Sequence, residues 1–228
     1  MNEQLIIPEV ILFNALEAWL KYIRTDYKKN ALTPTKSYLG MIFGNNQFQR
    51  YNFLEQARSV FITNDNTSPR NLEINLFFNP KRNGLPTIHI TNSSDQAVHD
   101  SLSIGIGIED AVFDDVAQTY VRMFNRRFQC KYNLVITSDN TNEVLLIYTA
   151  LRSGAISLIE HLALSGIENV KISGQDIQMK SDIVPANVFI KSVGISFEMN
   201  VLAPQLKHEV FFPNPTFEFR GEIDISEF

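Results

Sequence analysis

Apolar residues recur every three to four positions through "PEVILFNALEAWLKYIRTDYKK", residues 8–29. Leu12, Leu16, Trp19, Leu20, Ile23 and Tyr27 make one stripe; Asn14, Glu17, Lys21, Arg24 and Lys28 make the other. This period predicts an amphipathic helix, opened by Pro8 in its first turn and supported by Glu17 and Lys21 at i,i+4 spacing. Residues 30–70 carry a weaker rhythm: "TPTKSYLGMIFGNNQ" reads as loop and "YNFLEQAR" as a short helix. Strand alternation follows. Leu72, Ile74, Leu76 and Phe78 alternate with Asn71, Glu73, Asn75 and Phe77, "NPKRNGLP" supplies turn residues, and "TIHIT" (87–91) returns, which predicts a hairpin. Residues 92–116 read as a long surface insertion rich in Ser, Asp and Gly. In residues 118–138, Tyr120, Phe124, Phe128, Cys130, Tyr132, Leu134 and Ile136 share one parity, predicting two strands or one long bent strand. "ENVKIS" (168–173) is a short strand. Residues 188–202 are a final one, with Val193, Ile195, Phe197, Met199 and Val201 inward and Ser192, Gly194, Ser196, Glu198 and Asn200 outward.

The segment "TNEVLLIYTALRSGAISLIEHLALSG", residues 141–166, is too apolar for a helix that packs on one side only. At about 100° per residue, Val144, Ile147, Tyr148, Leu151, Ala155, Leu158, Ile159 and Leu162 share a core-facing arc, and Gly166 is a C-terminal stop. Leu145, Ile156 and Ala163 gather on a flank, while Leu146 and Leu164 interrupt the polar arc of Glu143, Ser153, Ser157, Glu160 and His161. Arg152, Glu160 and His161 interrupt it too often for a membrane span, which needs about 20 predominantly apolar residues. The flank therefore calls for cover by a second sheet or a neighbouring subunit.

The end of the chain is a second apolar excess. Phe211, Phe212, Phe217, Phe219, Ile223, Ile225 and Phe228 cluster there, and Pro213 and Pro215 forbid a helix through the middle. Burying one Phe is worth about 1.5–3 kcal/mol, so this tail is expected either to add a strand to its own sheet or to dock on a neighbour by strand addition.

With 228 residues, 44% of them hydrophobic, the chain is one large domain or a domain with appendages. A net charge of −5 argues against general nucleic-acid binding, which needs a basic surface. A single cysteine, Cys130, excludes an internal disulfide or a multi-Cys zinc site and is expected as a buried strand thiol. The start "MNEQLIIPE" has no basic n-region or long apolar core, so no secretory signal is expected and the sequons at Asn66 and Asn92 are read as accidental. The chain is expected to be soluble and made in the cytoplasm. His89, His99, His161 and His208 form no metal pair. Gly105 and Gly107 give only part of a phosphate loop, with Asp110 where a third glycine would stand. Glu109, Asp110, Asp114 and Asp115 lack EF-hand spacing and read as a solvated acidic loop. Ser153 has no nucleophile-elbow context. No catalytic, metal or cofactor residue is assigned. The basic residues Arg122, Arg126, Arg127 and Lys131 are the best electrostatic feature; Arg122 and Arg126 share a strand face with Phe124 and Phe128, an interleaving that reads first as a solvent-facing strand end and otherwise suits a subunit contact with an acidic neighbour or nucleic acid. An assembling subunit, an enzyme and a monomeric binding module are the three classes to separate.

The order of elements resembles the neck and tail-completion proteins of tailed bacteriophages, especially the tail terminators. It covers roughly residues 8–202, with "LPTIHI" and "GIENVKISGQDI" as the best local matches. The resemblance implies an α+β fold: a mixed, mostly antiparallel sheet flanked by a long N-terminal helix and a second amphipathic helix. It divides the chain into a domain over 1–202, with the 92–116 insertion, and an extended arm over 203–228 that lies outside the resemblance. It implies a virion structural protein without enzymatic activity or cofactor, in a homo-oligomeric ring, usually hexameric. Its partners would be adjacent neck, connector or tail-tube proteins, with no membrane and no sequence-specific nucleic acid; DNA would pass through the lumen unread. Another connector, or a sheath or baseplate piece, would share the texture. The residues expected at subunit contacts are Leu145, Ile156, Ala163, Arg122, Arg126, Phe211, Phe212, Phe217, Phe219 and Phe228.

Overall fold

The structure, a computed structural model, describes residues 7–44, 47–48, 51–62, 72–76, 85–98, 109–114, 119–175 and 188–204. Helix α1 runs Pro8–Lys29, with both ends where the sequence period sets them, and buries Leu12, Ala15, Leu16, Trp19, Leu20, Ile23 and Tyr27. After a short 3-10 turn at Pro34–Lys36 comes α2 (Tyr38–Phe43), a helix in a stretch expected to be loop. Six residues are too few to show a period; the helix is set instead by Ser37, whose hydroxyl accepts from the Gly40 N–H at 3.1 Å as an N-cap. A two-stranded ribbon, β1 (Gln47–Phe48) and β2 (Tyr51–Asn52), leads into α3 (Phe53–Phe61), capped by Asn52.

The remaining strands are β3 (Glu73–Asn75), β4 (Thr87–Ala97), β5 (Glu109–Asp114), β6 (Thr119–Ser138), β7 (Ile167–Gln175) and β8 (Phe189–Pro204). They form a mixed sheet in the order β3-β4-β6-β8-β7, with β5 also paired to β6. The architecture is α+β, as the sequence implied. The predicted hairpin is corrected: β3 and β4 are parallel, with Ile74 opposite Ile88. Period-two alternation carries no strand direction, and a tight hairpin turn joins only antiparallel strands. Two further readings change. Strand β4 continues past residue 91 to Ala97, opposite Phe128, so the first residues of the supposed insertion are sheet. The acidic stretch Glu109–Asp114 is strand rather than loop, paired antiparallel with Thr119–Phe124 of β6. Gly105, Gly107 and Asp115 lie outside the described residues.

The chain divides into two compact units, residues 1–102 with 126–201 and residues 103–125 with 202–228. In the first unit, Ile88, Ile90, Tyr132, Leu134, Ile136, Val193, Ile195, Phe197 and Met199 point to one side of the sheet, each with 4% exposure or less. They join the buried stripe of α1 in a single core. Tyr132 and Phe197 stack with ring centroids 5.6 Å apart, and the Tyr132 hydroxyl donates to Glu9 Oε1 at 2.9 Å, which fixes the start of α1 over the sheet. Burial, with that bond to Glu9, raises the Tyr132 pKa. The other side of the sheet is mainly polar, yet Thr87, His89, Val135 and Thr137 there are buried. The outward assignment fails at Ser192 and Gly194, which are buried. Gly194 lies beneath Ser173 and Asn133 of the strands on either side, whose side chains close over it.

Candidate assembly surface

The over-apolar segment folds as two helices, α4 (Thr141–Ser157) and α5 (Ile159–Leu164), broken at Leu158. Asn140 caps α4 by accepting from the Asn142 N–H at 2.9 Å, and Gly166 ends α5 with φ 82°, a left-handed geometry that glycine adopts without strain. The inner arc is as expected at Val144, Ile147, Leu151, Ala155 and Leu162, all buried, with Tyr148, Leu158 and Ile159 half-buried. Leu146 is a correction. Assigned to the polar arc, it is 2% exposed, and Ala150 beside it is fully buried. Part of the second side is thus covered within the chain, where α2 and α3 pack on α4.

The flank is not covered in this way. Leu145 is 42% exposed and Ile156 58%, Ala163 is exposed, and Leu164 is 89% exposed. On α4 the flank is a mixed stripe: Thr149 and Arg152 stand between Leu145 and Ile156 at helical spacing, both exposed. Sequence reasoning missed what adjoins it. The Tyr38 hydroxyl lies 3.3 Å from Ser153 Oγ on α4, and the Tyr38 ring meets Tyr22 of α1 edge-on at 6.1 Å. Met41, one turn beyond Tyr38, is 68% exposed, and Tyr22 is 55% exposed. Three helices therefore bring Tyr22, Tyr38, Met41 and Ile156 to one outer area. The sequence signal was present, because Tyr22 sits off the buried stripe of α1, but α2 was unread and gave it no neighbour.

The basic residues separate. Arg127 points to the polar side of the sheet and is held by two carboxylates of adjoining strands, Glu168 at 2.9 Å and Glu198 at 2.8 Å. Asn169, at φ 51°, donates to Glu198 at 3.0 Å; that bond first, with Arg127 after it, lowers the Glu198 pKa. Arg126 and Lys131 are exposed. Arg122 stands opposite Ala111 in the β5–β6 pairing of the second unit, its side chain outside the described residues. Phe211, Phe212, Phe217, Phe219 and Phe228 also lie outside the described residues.

Among the described residues no group of three His, Cys, Asp or Glu side chains is placed to hold a metal ion. His89 is buried with Nε2 at 3.5 Å from the Thr137 hydroxyl, His161 is exposed, and His99 and His208 lie outside the described residues. Cys130 is the expected buried thiol; burial, with a hydrogen bond to Asp95, pushes its pKa up to about 12. That environment opposes the thiolate a nucleophile would need. No helix among the described residues is long and apolar enough to cross a membrane. No protein-family model matches the chain, and a search of curated proteins finds no match.

Proposed function

We propose that this chain is a structural subunit of a tailed-bacteriophage neck. Copies of it form a ring that terminates the tail or joins it to the head connector, and DNA passes through the lumen. The observation supporting this reading is the helical layer, which leaves Leu164 at 89%, Met41 at 68% and Ile156 at 58% exposure above a closed core. Ring contacts are heterologous, joining two different patches of one subunit, and obligate ones tend to bury more than about 2,000 Å² of comparatively apolar surface. Scattered apolar residues are ordinary on a monomer; a group converging from three helices fits a contact. The Arg127 carboxylate clasp suits a protein past which DNA slides, because it leaves that guanidinium committed to its own sheet.

Light scattering on the purified chain, followed by negative-stain imaging with and without tail tubes, tests the proposal. The expected result is a pore-bearing ring of fixed stoichiometry, alone or on the tube end. A chain that stays monomeric in both conditions and caps no tube overturns it.

A further inference from the structure

The area where Tyr22, Tyr38, Met41 and Ile156 converge is uncovered by the described residues: Tyr22, Met41 and Ile156 keep 55%, 68% and 58% of their surface in water. Its surroundings are basic. Lys29 lies on the Tyr22 side of α1, two turns on; Lys36 sits in the turn two residues before Tyr38; Arg152 precedes Ser153 and shares the stripe of Ile156. All three are exposed. Asp26 in the area is engaged by the Tyr38 N–H at 2.7 Å and by Asn30 at 3.1 Å, and Glu160, one turn beyond Ile156, is exposed.

The complement to this surface is in the sequence of the same chain. Residues 205–228 carry Phe211, Phe212, Phe217, Phe219 and Phe228. Their charges are Glu209, Glu218, Glu222, Asp224 and Glu227 against Lys207 and Arg220, three of the chain's five net negative charges. We propose that the acidic, phenylalanine-rich terminal segment of a second copy docks on this area, Phe217 and its neighbours entering between Met41, Tyr38 and Ile156. The carboxylates then meet Lys29, Lys36 and Arg152. Pro213 and Pro215 interrupt main-chain pairing, so side-chain anchors carry this contact rather than strand addition. Aromatic anchors dominate such contacts, a flexible Met accommodates them, and the charges steer encounter. The segment comes from another copy because assembly sets copies of this chain side by side. The inference rests on the reading that copies of this chain assemble.

Disulfide trapping in the full-length protein tests it. One preparation carries Met41→Cys; others carry single cysteines at Asn214, Thr216 or Glu218. Buried Cys130 stays out of the exchange. Oxidising a mixture of the two kinds is expected to give a covalent dimer of unlike copies that neither forms alone. A chain carrying both substitutions is expected to give a ladder of covalent oligomers. Closed monomers from that chain would place the segment on its own helices and overturn the proposal. No cross-link while light scattering still reports a ring would overturn the docking and leave the ring standing; no cross-link and only monomers would remove both. As a second readout, Phe217→Ser with Phe219→Ser is expected to weaken self-association about tenfold or more per phenylalanine, with folding unchanged by circular dichroism. Undiminished association would overturn the proposal.

Discussion

Arg127 on the polar side of the sheet and Ile156 on the helical layer both touch water, yet their neighbours treat them oppositely. Arg127 has Glu168 and Glu198 within 2.9 Å, and Glu198 has Asn169 as well. Ile156 has an exposed Arg152 along its stripe and is itself 58% exposed among the described residues. One surface satisfies its groups within the subunit; the other leaves apolar area unburied. Exposed ion pairs add little to stability, whereas uncovered apolar area is a standing gain for any molecule that covers it. The two surfaces should therefore respond to substitution in different observables.

The core beneath both surfaces sets the largest expected effect. Phe197→Ala removes the ring stacked on Tyr132 and should cost about 3–5 kcal/mol in urea unfolding. A loss below about 1 kcal/mol would mean that the helical side of the sheet is not a packed core. Next comes Gly154→Ala. A Cβ at Gly154 would run into the buried Trp19 indole, so this change should cost about 1–3 kcal/mol in place of the usual gain from removing a helical glycine. A raised melting temperature would show α1 and α4 to be less closely packed than described. On the helical layer, Leu164→Ser and Met41→Ser should change stability by no more than about 0.5 kcal/mol while reducing the assembled fraction seen by light scattering. Unfolding with assembly intact would reverse the contrast. The smallest effect belongs to the Arg127 clasp. Glu198 has a folded pKa below its ordinary 4.5, so its contribution is present above that pH and is lost as pH falls through the folded value. Arg127→Gln should flatten that acid-side loss in a melting profile and leave the profile above pH 6 little changed; a large loss at neutral pH would give the clasp a structural weight that its exposure denies.

Much of the fold was legible because long periods average out local noise. The 22 residues of α1 and the β8 alternation of Val193, Ile195, Phe197 and Met199 have the burial their spacing predicts. Short or directionless signals were not legible. Helix α2 rests on one Ser37 cap, and the β3 pattern is the same whether β4 runs parallel or antiparallel. Leu146 shows the limit of a single-helix projection, because the partners that bury it belong to elements far away in sequence. The candidate surface was half legible for the same reason. Leu145 and Ile156 could be read from the wheel, but Tyr22 and Met41 acquire meaning only when Tyr38 brings three helices together.

The three-strand position of Arg127 has a mechanical corollary. Its guanidinium sits on β6, one of its carboxylates on β8 and the other on β7, so a single side chain staples consecutive ribbons against sliding. A polyanion drifting over that corner would have to displace both acids to reach one cation. Smoothness toward a passing charged polymer would then be a by-product of how the sheet is pinned.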